Sequence, residues 1–149
     1  MHIQTKYFGE MSVDTTKTIQ FPSGLPGFVD ENEFVLFNLS ETSVYQILQS
    51  TRNKGVAFIV VNPYVFYQDY VIDLDDHLMD SLQIKDDQDV AVLSIVTVKD
   101  PFDTSTMNLK APVIINSQTN RGKQYILNSD AYPSKAAITP QDSSLVKGE

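Results

Sequence analysis

A run of nine residues near the middle of the chain, residues 90–98, is apolar at almost every position. Successive side chains of a β-strand point to opposite faces, so a half-exposed strand alternates apolar and polar residues. This run does not alternate. It therefore predicts a strand covered on both faces, and such a strand lies inside a larger sheet.

Other short segments rich in β-branched and aromatic residues predict the neighbouring strands. Two pairs of them flank turns that contain Asn and Gly, at 51–55 and 119–122. These residues accept the positive φ angles of tight turns, so two hairpins are predicted. The predicted strands are 3–8, 18–21, 34–39, 44–49, 56–61, 65–74, 90–98, 113–116 and 124–127.

A single segment, residues 76–83, indicates a helix. Asp75 or Asp76 can cap its start, and Leu78 and Leu82 lie four residues apart on one face. At about two turns the helix is marginal alone, so it must pack on the sheet.

Many short strands with one short helix predict an all-β, mainly antiparallel fold, a small β-barrel whose closure removes edge strands. Residues 1–133 are expected to form this one domain. Beyond Asp130 the chain is polar, with prolines and no apolar periodicity. Residues 134–149 are therefore predicted to be a flexible C-terminal tail.

The charge balance limits the partners of the chain. Eleven basic residues stand against nineteen acidic ones, giving a net charge of -8. A nucleic-acid binder must neutralise phosphates with Lys and Arg, so direct nucleic-acid binding is not expected. The acidic excess favours a basic protein partner, or it keeps the protein soluble; both interpretations stay open.

The sequence also points to a compartment. There is no cysteine, which suits a reducing environment. No signal peptide follows the N-terminus, and the longest apolar runs fall far short of the roughly 20 residues that span a bilayer. We expect a cytoplasmic protein that does not associate with membranes.

Motifs for catalysis and metal binding are missing. His2 and His77 fall in different elements, and no nucleotide-binding or nucleophile motif occurs. An EF-hand loop counted from Asp73 would need Gly and Glu where the chain has Leu78 and Ile84. We therefore expect no enzyme, no cofactor and no metal.

Two features are candidates for partner binding. Residues 69–89 contain eight aspartates, with Lys85 as the only base, and form either a solvated face or a surface for a basic protein. Residues 64–70 contain four aromatic side chains, each of which belongs to the core or anchors a partner. The candidate protein-binding residues are Tyr64, Phe66, Tyr70, Asp73, Asp75, Asp76 and Asp80.

Several stretches together resemble one family. These stretches are Phe-Pro-Ser-Gly-Leu-Pro-Gly-Phe at 21–28, Leu-Gln-Ser at 48–50, Ala-Phe-Ile-Val-Val-Asn-Pro at 57–63, Asp-Tyr at 69–70, Met-Asn-Leu-Lys-Ala-Pro-Val-Ile-Ile-Asn at 107–116 and Gly-Lys-Gln at 122–124. Their order and spacing, rather than any one stretch alone, are similar to those of the FliW flagellar assembly factors, over roughly residues 2–133.

The resemblance implies a partner switch without catalysis. Proteins of this family bind flagellin in the cytoplasm. When free of flagellin they bind CsrA, a small RNA-binding regulator that blocks translation of flagellin mRNA, at a site apart from its RNA groove, and lift the block. The free protein is expected to be a monomer, because one barrel of this size closes its own core.

Three other functions compete with this expectation. The chain could be an enzyme with a small-molecule pocket in the barrel mouth, a direct nucleic-acid binder, or an interaction module with an unrelated partner.

Overall fold

The centre of the molecule is a closed ring of seven β-strands, seen in a computed structural model that describes residues 1–138. The elements are β1 (His2–Thr5), β2 (Gly9–Ser12), β3 (Ile19–Gln20), β4 (Glu33–Asn38), β5 (Tyr45–Ser50), β6 (Ala57–Val61), α1 (Asp76–Ser81), β7 (Val90–Thr97), β8 (Thr106–Met107), β9 (Val113–Asn116), β10 (Arg121–Gln124) and β11 (Ala136–Ala137). Strand β7 pairs with β6 on one side and with β9 on the other, and the remaining ring strands follow in the order β5, β4, β3 and β10.

The predicted fold class is confirmed: the fold is mainly antiparallel, a small barrel with one short α-helix in the described residues. The two predicted hairpins form as β5–β6 and β9–β10, although the second strand of the latter lies at 121–124 rather than at the predicted 124–127. Within the described sheets only β3 and β10 run parallel, where Gln20 lies beside Arg121. This parallel pair brings distant segments together and completes the ring.

The predicted strand at 65–74 is wrong. Pro63–Val65 form a 3₁₀ turn, and the backbone continues irregularly to the helix. The Asn62 side chain accepts a hydrogen bond from the Tyr64 N–H at 2.9 Å, and Pro63 supplies the fixed φ angle suited to the first turn of a helix. This local side-chain bond competes with strand pairing, so the aromatic residues that follow do not join the sheet.

The barrel interior is filled by large side chains from neighbouring segments of the ring. Phe21 and Phe34 are fully buried, with ring centroids 5.4 Å apart and nearly perpendicular planes. Gly122 of β10 faces them, and a Cβ atom there would lie 2.8 Å from the Phe21 ring. The absence of a side chain at this position therefore lets the ring fill the interior.

Helix α1 covers the outside of β9. Leu78 and Leu82, the predicted apolar pair, pack with Ile84 against the outward side chain of Ile114. The Asn116 side-chain amide donates to the carbonyls of Leu82 at 2.7 Å and Gln83 at 3.1 Å, and so holds the end of the helix. The predicted helix is confirmed, although it ends at Ser81 rather than at 83.

The domain extends further toward the C-terminus than predicted. Strand β11 pairs with β8, and Ala136 and Ile138 are buried in a cluster outside the barrel. The Pro133 carbonyl accepts hydrogen bonds from the N–H groups of residues 109 and 110, which turns the chain back onto the sheet. Residues 136–138 thus pack on the sheet beyond the boundary predicted after residue 133, and the rest of the predicted flexible tail, 139–149, lies outside the described residues.

Candidate functional site

The start of helix α1 is fixed by one aspartate. Asp75 accepts a hydrogen bond from the Leu78 N–H at 2.8 Å and another from the Tyr125 hydroxyl at 3.1 Å. These two donors stabilise the carboxylate and lower the pKa of Asp75 below its ordinary value. Asp75 therefore serves the fold, because it ties the helix to the segment after β10.

The other acidic candidates project into solvent. Asp73, Asp76 and Asp80 are all exposed, and Asp76 lies in the first helical turn, where its charge suits the helix dipole. The ion pairs in the described residues, His2–Glu10 and Lys110–Asp130, include none of the eight aspartates of segment 69–89. Within residues 1–138, this negative charge is therefore not neutralised by ion pairs.

The three aromatic candidates lie in different environments. Tyr64 is 36% exposed and Phe66 is half-buried, with its ring beside that of Tyr45. Tyr70 is 3% exposed, and its hydroxyl donates to the Leu109 carbonyl at 2.6 Å. Of the two possibilities that the sequence left open for Tyr70, the structure thus shows the core position, and a role of Tyr70 in partner binding stays a prediction.

Tyr64 and the acidic segment meet at one surface. Three adjoining hollows of about 490, 510 and 290 Å³ share walls there. Met79 and Ile84 line both of the first two, while Tyr64, Val90 and Val92 line both of the last two. We call the whole depression the acidic trough. Its lining residues used below are Tyr64, Ile72, Asp73, Leu74, Met79, Asp80, Ile84, Lys85, Asp87, Asp89, Val90 and Val92.

The apolar floor of the trough was not predicted from sequence. Its residues come from three separated segments: the chain before α1, the helix with the residue at 84, and the outer face of β7. Val90 and Val92 belong to the run that predicts a strand covered on both faces, yet both are only half-buried. The trough is therefore marked by apolar residues of a strand that no other element covers completely, and this feature is visible in the structure but not in the sequence.

Several polar side chains in the stretches that resemble a family form hydrogen bonds to the backbone. The buried Gln49 accepts the Lys6 N–H at 2.9 Å, which fastens the N-terminal hairpin to β5. Asn108 accepts the Ala111 N–H at 2.9 Å, and Gln124 donates to the Ala111 carbonyl at 3.0 Å. These residues therefore position strands rather than line the trough.

Within residues 1–138, no helix has the length and apolarity needed to cross a membrane. The same residues nowhere gather three or more His, Asp or Glu side chains that could hold a metal ion.

Comparisons with known proteins agree on one family. The family model described as "FliW protein" matches residues 2–138. "Flagellar assembly factor FliW" of Oceanobacillus iheyensis is 46% identical over 149 residues, which is all of both chains. That of Bacillus subtilis is 43% identical over 138 residues, covering 93% of this chain and 96% of its own.

A solved structure matches as well. A crystal structure of the flagellar assembly factor FliW superposes with a TM-score of 0.89 at 41% identity. The match covers 95% of this chain and 99% of the other. Sequence and fold therefore agree over almost the whole length.

Proposed function

Since the chain belongs to the FliW family of flagellar assembly factors, we propose that it works in the cytoplasm as a partner switch that binds flagellin or a CsrA-type translational regulator. When flagellin is scarce, the free protein binds the regulator and lifts its block on flagellin mRNA. When flagellin accumulates, it captures the protein and the block returns. The observation that carries the proposal is the family match along residues 2–138.

The uncompensated acidic segment supplies a physical mechanism. RNA is a polyanion, so a protein of net charge -8 bound beside a basic RNA site raises the local negative potential and disfavours RNA. A coupling of ~1–3 kcal/mol between the two sites changes RNA affinity about 5- to 150-fold. The regulator is thus inhibited without contact to its RNA groove, and the protein itself binds no nucleic acid.

The direction in which carboxylate pKa values are shifted is consistent with a role without catalysis. Those of Asp14, Glu33 and Asp75 are all lowered, and hydrogen bonds from neighbouring hydroxyl, amide or backbone N–H groups are the main cause. A general acid needs the opposite, a raised pKa. The lowered pKa values thus belong to a residue that caps a turn (Asp14), a residue of a strand (Glu33) and a residue that caps a helix (Asp75).

The test compares two double variants with the same change in charge. Asp76→Asn/Asp80→Asn removes two charges from the acidic segment, while Asp30→Asn/Asp103→Asn removes two exposed charges elsewhere. Each is titrated into a fluorescent regulator–message complex, and flagellin binding is measured in parallel by calorimetry. We expect the first variant to release RNA less effectively than the second, with flagellin binding less affected.

Three results would count against this proposal. Equal loss of RNA release and flagellin binding in the first variant would indicate general damage to the surface. No loss of either would show that the acidic segment does not supply the field. Absence of any binding to flagellin or to the regulator by the unaltered protein would remove the partner switch itself.

A further inference from the structure

We propose that a hollow between residues 71–73 and residues 125–132 binds the guanidinium group of an arginine side chain of another protein. The hollow has a volume of about 400 Å³, near the lower end of the ~300–1,000 Å³ of small-ligand pockets. We call it the tyrosine hollow, because Tyr125 and Tyr132 line it. Asp73 borders both this hollow and the acidic trough, but no residue of α1 or β7 lines the tyrosine hollow.

The two tyrosines are held in place at the two ends of the hollow. The Tyr125 hydroxyl donates to the Asp75 carboxylate at 3.1 Å, and the Tyr132 hydroxyl accepts the Val71 N–H at 3.0 Å. The Tyr132 ring also packs edge-on against the buried Tyr70, with ring centroids 4.7 Å apart. Both rings are therefore positioned before a ligand arrives, which lowers the entropy lost on binding.

The hollow carries negative charge. Asp73 is exposed and forms no ion pair within residues 1–138, and no Lys, Arg or His lines the hollow. Burial raises the pKa of Tyr125, and the hydrogen bond to Asp75 and the charges of Asp75 and Asp73 raise it further. The negative potential of Asp73 thus reaches the tyrosine ring, so the hollow attracts a cation and repels an anion.

The acceptors around the hollow favour a guanidinium over an ammonium group. A guanidinium presents five N–H donors in one plane, whereas an ammonium presents three around a point. The Asp73 carboxylate can accept two parallel donors, and the carbonyls of residues 71–73 accept no hydrogen bond from another backbone group within the described residues. The flat face of a guanidinium also stacks on a tyrosine ring. Arginine therefore uses more of this hollow than lysine does.

The charge of the walls also favours a protein side chain over the free amino acid. Free arginine carries a main-chain carboxylate, for which the hollow offers no basic side chain. Asp73, and Asp130 between the lining residues Ser129 and Ala131, would repel it. The main chain around an arginine inside a protein is neutral, so this repulsion is absent.

The experiment titrates nitrogen-labelled full-length protein with small probes and follows the backbone amide signals by NMR. The first probe is arginine with both main-chain ends blocked, as acetyl and methylamide. The others are the same derivatives of lysine and of citrulline, the neutral counterpart of arginine, and free L-arginine. We expect the arginine derivative to shift the signals of residues 71–73 and 128–132 with a Kd on the order of millimolar. The lysine derivative and free L-arginine should bind at least about fivefold more weakly, and the citrulline derivative should give no saturable shift.

A pair of variants with the same change in charge gives a second measurement. Asp73→Asn removes the carboxylate of the hollow, while Asp103→Asn removes an exposed carboxylate from the 3₁₀ turn at 102–104. We expect Asp73→Asn to weaken binding of the arginine derivative about tenfold and Asp103→Asn to leave it unchanged. Tyr132→Leu, which removes one ring, should also weaken it. Circular dichroism checks that each variant folds, and if Tyr132→Leu does not, the two aspartate variants decide.

Four results would overturn the inference. The first is the absence of a saturable shift with the arginine derivative, and the second is equal affinity for the citrulline derivative. The third is unchanged binding by Asp73→Asn, or a shift confined to the acidic trough around Met79. Binding of free L-arginine as tightly as the blocked derivative would refute the assignment to a protein side chain. None of these measurements uses flagellin or the regulator, so their results do not depend on the partner switch.

Discussion

Gly122 tests the packing of the barrel most sharply. A Cβ atom at this position would lie 2.8 Å from two atoms of the Phe21 ring and 3.2 Å from Ile115. The ring cannot swing away, because Phe21 is fully buried against Phe34. We therefore expect the added methyl group of Gly122→Ala to overpack the barrel interior.

The size of the effect follows from two opposing terms. Overpacking a filled core costs about 1–3 kcal/mol. Replacing Gly with Ala also restricts the unfolded chain, which stabilises by about 0.4–1 kcal/mol. With the middle of each range, the net loss is about 1.3 kcal/mol, or roughly 3–5 °C in melting temperature at about 2–4 °C per kcal/mol for a chain of this length.

Thermal and urea unfolding measure the loss, with Gly55→Ala as the matched control. A Cβ atom at Gly55 would meet one side-chain atom at an ordinary 3.6 Å, so this variant should be as stable as the original protein or slightly more so. In the double variant Gly122→Ala/Phe21→Leu, the smaller side chain should recover part of the loss, which makes the two changes non-additive. Unchanged stability of Gly122→Ala, or strictly additive effects, would refute the steric argument.

Three further predictions concern single polar groups. Asn116→Ala should lower the free energy of unfolding by about 1–3 kcal/mol in urea titrations, because two carbonyls at the end of α1 lose their donor; a smaller change would show that water replaces the amide. Burial raises the pKa of Tyr70 above its ordinary value, so its contribution to stability is complete below the unfolded pKa of about 10 and is lost as pH rises beyond it; Tyr70→Phe should flatten the alkaline fall of the urea midpoint, and an identical fall would contradict this cause. Hydrogen bonds from the Thr51 and Gln20 side chains lower the pKa of Glu33, so its contribution is present above the unfolded pKa and is lost as pH falls through the folded one; Glu33→Gln should be less sensitive to acid, and equal acid sensitivity would exclude Glu33 as a contributor.

Local signals in the sequence were enough for much of the fold. The apolar run at 90–98 predicted the strand that joins both sides of the barrel, and the Asn/Gly turns predicted the two hairpins. Asp75 predicted the start of the helix, because capping is a property of a few neighbouring residues. Each of these features depends on contacts close along the chain.

Features that depend on distant contacts were missed. The parallel pairing of β3 with β10 joins segments about a hundred residues apart, and nothing local encodes it. The aromatic segment at 64–70 has the composition of a strand, but the cap at Asn62 and the following proline redirect it. The Tyr70 side chain of this segment is therefore buried, and its hydroxyl donates to the Leu109 carbonyl.

The candidate site was predicted in part. The acidic character of segment 69–89 follows from composition, whereas the apolar floor under its charges depends on how α1 lies beside β7. The extension of the domain to residue 138 was missed for a related reason: two buried residues, Ala136 and Ile138, pack against a cluster that the tail reaches only after the chain has folded.

The proposed partner switch requires that this acidic protein, without catalysis, controls the access of flagellin mRNA to the CsrA-type regulator. The most direct measurement titrates the protein into a preformed complex of the CsrA-type regulator with flagellin message at low salt, where charge effects are least screened. We expect the message to be released as the protein binds, and added flagellin to reverse the release. A message that stays bound while the protein occupies the regulator would contradict it.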